Sequence, residues 1–213
     1  MAKTHATPKL RQPAHTGRTL CLILKYESMK QIKFLALCLL LLWTYSCGQQ
    51  TVKNDQIKTS EGWKLLKENG YSIQYPEDWI LDKSGQNGTS FIILSLPTST
   101  QDEFRENVNL IVQDLTGFNI NLEKFVQISE DQIKRLATNG NLILSAKQTL
   151  HGIDFQKVVY TFDQGMFKLK CEQYYWIKSN KAYVLTLTCQ TTQFDTYKEI
   201  GEKILNSFSF EKN

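Results

Sequence analysis

The residues of this 213-residue chain with reactive potential are five cysteines, three histidines and a run of consecutive aromatics. His151 stands beside Gly152 in the C-terminal half. As a general base it would need an orienting carboxylate and a nucleophile. The chain contains no G-x-S-x-G, H-E-x-x-H, P-loop or G-x-G-x-x-G pattern to supply them. His151 therefore reads as a surface turn residue. The adjacent carboxylates Asp102-Glu103 and Glu130-Asp131 read as solvated faces, since a calcium loop needs several converging oxygens at a set spacing. The sequence predicts no catalytic residue, no cofactor and no metal.

The cysteines say more, because of where they fall. Met29 to Cys47 reads MKQIKFLALCLLLLWTYSC, with Lys30 and Lys33 ahead of an apolar run of ten residues, Phe34 to Trp43. That run is too short to span about 30 Å of hydrocarbon and suits the core of a signal peptide. Thr44-Tyr45-Ser46-Cys47 then resembles a bacterial lipoprotein junction, with Cys47 as the lipidated first residue of the mature chain. Thr44 stands where that pattern usually has an aliphatic residue, and an uncleaved leader is the alternative. Residues 1–28 read as a gene-model extension or a disordered arm, 29–46 as the signal peptide, and 47–60 as the lipidated cysteine and a polar tether. A globular domain is expected over 61–210. The expected address is the bacterial cell envelope, lipid-anchored to a membrane and facing the periplasm or cell surface.

The leader also carries the positive charge. The formal net charge is +4, but residues 1–46 hold seven basic residues against Glu27 alone. The remainder has 18 basic and 20 acidic residues, a net charge of −2. Without a basic stripe it has no nucleic-acid footprint. Only Cys171, Cys189 and His151 remain there of the cysteines and histidines beyond Cys47.

The elements that position these residues are legible in outline. Strands are expected at Trp63–Leu66, Tyr71–Tyr75, Phe91–Leu96, Val108–Asp114, Leu142–Gln148, Ile153–Phe162, Met166–Lys178 and Ala182–Gln190. Asn121 caps a predicted helix whose inward face is Leu122, Phe125, Val126, Ser129, Ile133, Leu136 and Ala137, closed by Asn139-Gly140. A second helix is predicted from Gln193 to Phe208. About eight strands and two helices make an α+β fold, a central antiparallel β-sheet flanked by helices.

The hairpin around Asn180 sets the thiol geometry. A three-residue loop at Ser179–Lys181 pairs Ile177 with Tyr183, Tyr175 with Leu185, Gln173 with Leu187 and Cys171 with Cys189, so that both apolar faces coincide. Facing residues lie within disulfide range, and a Cys171–Cys189 cross-strand bridge is the expectation. The alternative is two buried free thiols acting as small apolar groups.

Tyr174-Tyr175-Trp176 alternate across a strand, so Tyr174 and Trp176 face away from Tyr175. Core is the commoner role for such a stripe. The sharper reading makes Trp79, Tyr174 and Trp176 a partner or ligand surface.

The stretch Tyr71-Ser72-Ile73-Gln74-Tyr75-Pro76-Glu77-Asp78-Trp79 resembles the Y-P-x-x-W opening of the PsbP-like superfamily. That group also holds small Ran-binding import factors and DcrB-type bacterial lipoproteins. The Asn107–Leu115 strand, the single helix before Asn139-Gly140, and the long hairpin followed by a helix and Ser207-Phe208 extend the resemblance over about Gly62 to Phe210. It implies an α/β/α sandwich and a binding or assembly role, and no functional residue carries over. The function expected is a membrane-anchored, non-enzymatic binding or assembly factor of the bacterial envelope with a protein partner. The alternative is a small-ligand carrier or enzyme with an aromatic-lined pocket.

Overall fold

The computed structural model describes residues 61–68 and 70–211. Cys47, the leader and the tether lie outside them. Ten strands and two helices follow in the order β1 (Trp63–Glu68), β2 (Tyr71–Pro76), β3 (Ile80–Asp82), β4 (Phe91–Leu94), β5 (Asn107–Asp114), α1 (Leu122–Leu136), β6 (Asn141–Leu150), β7 (Ile153–Gln164), β8 (Phe167–Lys178), β9 (Lys181–Gln190), α2 (Phe194–Asn206) and β10 (Ser209–Phe210). A seven-stranded sheet runs β3-β4-β5-β9-β8-β7-β6, and a small sheet runs β1-β2-β10. Every pairing is antiparallel.

The large sheet is packed on both faces. On one, Val108, Leu110, Leu185, Leu187, Tyr174 and Trp176 meet the small sheet and α2 through Ile73, Ile204, Leu205 and Phe208. On the other, Val158, Tyr160, Leu169, Tyr175 and Val184 meet α1 through Phe125 and Ile133. This is the expected α+β sandwich with one helix on each face. The strands β3 and β10, of three and two residues, went unpredicted because so short a stretch shows no periodicity.

Helix α2 ends earlier than its apolar spacing suggests. Ser207 closes it, taking a hydrogen bond from the Gln74 N–H at 2.8 Å and donating to the Ile204 carbonyl at 2.6 Å. The chain then turns so that Phe208 enters the core, where its ring stacks near Tyr71 at 5.5 Å. Gly201 lets α2 lie close on β9, since a Cβ there would stand 2.5 Å from Leu187 Cδ2.

The hairpin register corrects the disulfide expectation. Lys178 pairs with Lys181, leaving a two-residue turn at Ser179-Asn180, both with positive φ (50° and 56°). Such a turn matches the right-handed strand twist. Cys171 therefore faces Thr188, and Cys189 faces Lys170. The two thiols point to opposite faces of the sheet, and both are free and buried. The expectation of a three-residue loop assumed one apolar face and one polar face. With both faces covered, that constraint disappears.

Candidate binding groove

Helix α1 covers only half of its sheet face. The Asn121 side chain caps it, accepting from the Lys124 N–H at 2.9 Å. Phe125 sets its ring edge-on to Tyr175 at 5.6 Å, and the helix lies over β6, β7 and β8. Its C-terminal end is tied to β7. Asp163 N–H donates to the Thr138 carbonyl at 2.8 Å, and Asn139 Nδ2 donates to Asp163 Oδ2 at 2.6 Å. Gly140 makes that closure possible, because a Cβ there would stand 2.1 Å from the Ile133 carbonyl oxygen. From Phe125 beside Tyr175 to Thr138 beside Asp163, the helix runs along the strands rather than across them.

The uncovered half, over β4, β5 and β9, is a groove of about 450 Å³ between α1 and the β3–β4 side. Strand register builds its floor in two rows. One runs Leu94, Asn107, Thr188, Cys171, Tyr160, and the next runs Ile92, Asn109, Thr186, Gln173. Each row is apolar at the β4 side and polar in the middle. Tyr160, Phe162 and α1 supply the apolar far wall.

The polar groups on this floor hold one another. Tyr175 Oη donates to Gln173 Oε1, and Gln173 Nε2 donates to Thr186 Oγ1 at 2.9 Å. Asn109 Nδ2 donates to Asn107 Oδ1 at 3.1 Å. Burial is the main cause that pushes the Cys171 thiol up to about 11 and raises the Tyr160 and Tyr175 hydroxyls. The Cys171 thiol is thus uncharged at neutral pH and is no nucleophile. Among the described residues no Lys, Arg or His lines the groove, and Asp163 is the one carboxylate.

On α1 two positions depart from expectation. Leu136 is half exposed at the groove, while Gln132 is 9% exposed and turned inward. A single-period helical reading assigns the apolar residue to the core. It cannot see that the sheet beneath the last turn ends in an opening.

The residues expected to form a partner or ligand surface are core. Trp79, Tyr174 and Trp176 are 6%, 2% and 2% exposed, all within the cluster under α2 and the small sheet. Trp79 packs edge-on to Tyr197 at 6.1 Å, and Trp176 sits 5.3 Å from Phe155. Tyr174 and Trp176 do face away from Tyr175, as alternation requires, but a second layer covers that face. The groove lies on the opposite side. Its signal in the sequence was the alternating Asn107-x-Asn109 on β5, polar where a buried strand would be apolar. His151 occupies a hairpin turn, with Nε2 3.0 Å from the Asn206 carbonyl oxygen.

No protein-family model matches the chain, and no curated protein matches it in sequence. Solved structures do match in shape. A Pseudomonas aeruginosa protein of unknown function, PA94, aligns over 71% of this chain and 99% of its own, at 12% identity and a TM-score of 0.51. LpqN of Mycobacterium tuberculosis, described as involved in cell envelope biogenesis, aligns over 70% and 91% at 14% identity and a TM-score of 0.50. The cyanobacterial PsbP protein CyanoP of Synechocystis aligns over 78% and 98% at 16% identity, with a TM-score of 0.48. At these identities the likeness concerns fold alone, and what this chain shares with PA94 and LpqN is that fold, a large antiparallel sheet flanked by helices.

Proposed function

We propose that the protein is a non-enzymatic binding or assembly factor of the bacterial cell envelope, tethered to a membrane by lipid on Cys47 and offering the α1 groove to a protein partner. The observation that carries this reading is the groove itself, an opening of about 450 Å³ on a sheet whose faces are otherwise packed. Its size lies in the range of binding clefts. Its lining favours recognition over chemistry, since the thiol and the phenols there stay protonated and Asp163 is held by Asn139. The envelope role printed for LpqN, which shares the fold, supports the address. No helix among the described residues is long and apolar enough to cross a membrane.

Affinity capture from envelope extract tests the role. A specific protein retained by the full-length chain is the expected result, and an extract that yields none defeats it. Palmitate labelling tests the tether, with label expected on the wild type and absent from Cys47→Ser. A small-ligand carrier is the second reading, favoured by the groove's volume. It predicts co-purification of a small molecule instead of a protein.

A further inference from the structure

We infer that the end of the domain where the tether joins lies against the membrane, with its exposed apolar side chains set among the lipid headgroups; this rests on the lipid tether proposed above. Strand register defines that end. One row of facing residues crosses all seven strands of the large sheet, from Ile80 on β3 through Asn107 on β5 and Cys171 on β8 to Leu142 on β6. Beyond this row the chain turns from β4 to β5, from α1 to β6 and from β7 to β8. Among the described residues eight large apolar side chains are exposed, and six of them stand at this end: Ile80, Leu96, Leu136, Ile143, Leu144 and Met166. Met166, at the tip of the β7–β8 hairpin, is 79% exposed. The other two, Phe118 and Ile153, belong to the opposite end.

The chain that carries Cys47 joins at the same end. The Gly62 carbonyl accepts from the Glu77 N–H at 3.0 Å, and Trp63 faces Pro76, so the domain begins beside the turn that leads into Ile80. Residues 48–60 reach at most about 45 Å from a lipid on Cys47, and the end they reach first is this one. The distribution of the apolar side chains fits a bilayer better than a protein. They are strung across the sheet from β3 to β6, six strand spacings or about 29 Å. A protein partner concentrates its energy in one packed centre, whereas a lipid interface takes side chains singly wherever they meet it. The exposed charges at this end balance, Lys134, Arg135 and Lys168 against Glu77, Asp78 and Glu103, so the contact is apolar and not ionic.

The full-length chain, expressed with its own leader and reconstituted into phosphatidylcholine vesicles, tests the inference with lipids brominated near the headgroup end of the acyl chain. The emission that Met166→Trp and Leu96→Trp each add to wild type should shift to the blue and be quenched, and the emission added by Phe118→Trp should do neither. All three positions are exposed, and circular dichroism checks that the variants fold. Equal quenching at both ends, or none at Met166→Trp and Leu96→Trp, would overturn the inference. So would quenching that requires anionic phosphatidylglycerol, because the contact would then be ionic. An envelope protein whose capture is lost in Leu96→Asp combined with Met166→Asp, without lipid quenching, would assign this end to a protein instead. Palmitate labelling separates this inference from the tether. A labelled chain without quenching keeps the tether and removes the orientation. An unlabelled chain that is quenched at Met166→Trp keeps the membrane-facing end and removes the lipid on Cys47.

Discussion

Cys171 on β8 faces Thr188 on β9, its Sγ 3.5 Å from Oγ1, and the single step from Thr188 to Cys189 carries the second thiol through the sheet to its other face. Two thiols separated by the thickness of a sheet cannot bridge without breaking the register of the longest hairpin.

Both thiols should therefore resist alkylation by iodoacetamide in the native protein at neutral pH and react fully once the chain is unfolded. Burial pushes Cys171 up to about 11 and raises Cys189 as well, so neither offers a thiolate. Intact mass without reductant should show both in the thiol form. Cys189→Ser should cost about 1–3 kcal/mol, since it puts a hydroxyl into the apolar cluster under α2 and the small sheet. Cys171→Ser should cost less, because Thr188 stands ready as a partner.

The same hairpin shows how far the sequence can be read. Strand existence followed from alternation, and the sandwich followed from two amphipathic helices and a set of strands. Register did not follow, because it depends on which faces are covered. That is settled by the small sheet, whose strand β10 is only Ser209–Phe210 and carries no pattern. Once β1, β2 and β10 cover Trp176, an aromatic surface becomes core. The groove was hidden for the complementary reason. A polar alternation on β5 looks like a solvent face, and only the position of α1 over β6–β8 turns it into the floor of a cleft.

Gly201 and Leu187 fix the distance between α2 and β9. Gly201→Ala adds helix propensity of about 1 kcal/mol. The new methyl would nonetheless meet Leu187 Cδ2 at 2.5 Å and Cδ1 at 2.7 Å, and Leu187 is fully buried with nowhere to turn. The variant should lose about 1–3 kcal/mol in denaturant unfolding. Adding Leu187→Ala removes the obstructing atoms, so the double variant should lose less than the sum of the two single losses.

Lys157 holds α2 to the sheet through two carboxylates, Glu172 at 2.7 Å and Glu202 at 3.1 Å. The Glu172 contact is a charge pair without hydrogen-bond alignment at Oε1. Burial lowers the Lys157 pKa, but the two carboxylates outweigh it and leave the value raised above 10.5. A raised folded-state value means that this contribution is complete below 10.5 and fades as pH rises through the folded value. Lys157→Met should cost about 3–5 kcal/mol at neutral pH, because Glu172 is then left buried beside Tyr174 without a cation. Adding Glu172→Gln should recover most of the loss. A single variant as stable as wild type would show that the cluster contributes nothing.

Glu106 gives the same sign of pH dependence in the acid range, at the other end of the same face. It leads into β5, is 2% exposed, and accepts only a long hydrogen bond at 3.4 Å from the Gln190 N–H, besides its own backbone. Burial raises its carboxyl above 4.5, the nearby Asp102 adds to the rise, and the backbone hydrogen bonds offset part of it. A carboxyl raised in the folded state favours folding while it is protonated in the native protein. That advantage is whole below 4.5 and disappears as pH climbs through the folded value. Glu106→Gln keeps an oxygen for the Gln190 N–H and removes the ionisation. Wild type and variant should be equally stable in acid, and the variant should become the more stable as pH rises past 4.5, levelling off once the native carboxyl is ionised. Urea unfolding of both proteins across that range reads the difference directly. A difference that stays flat with pH would mean that burial at the start of β5 does not disfavour the charge.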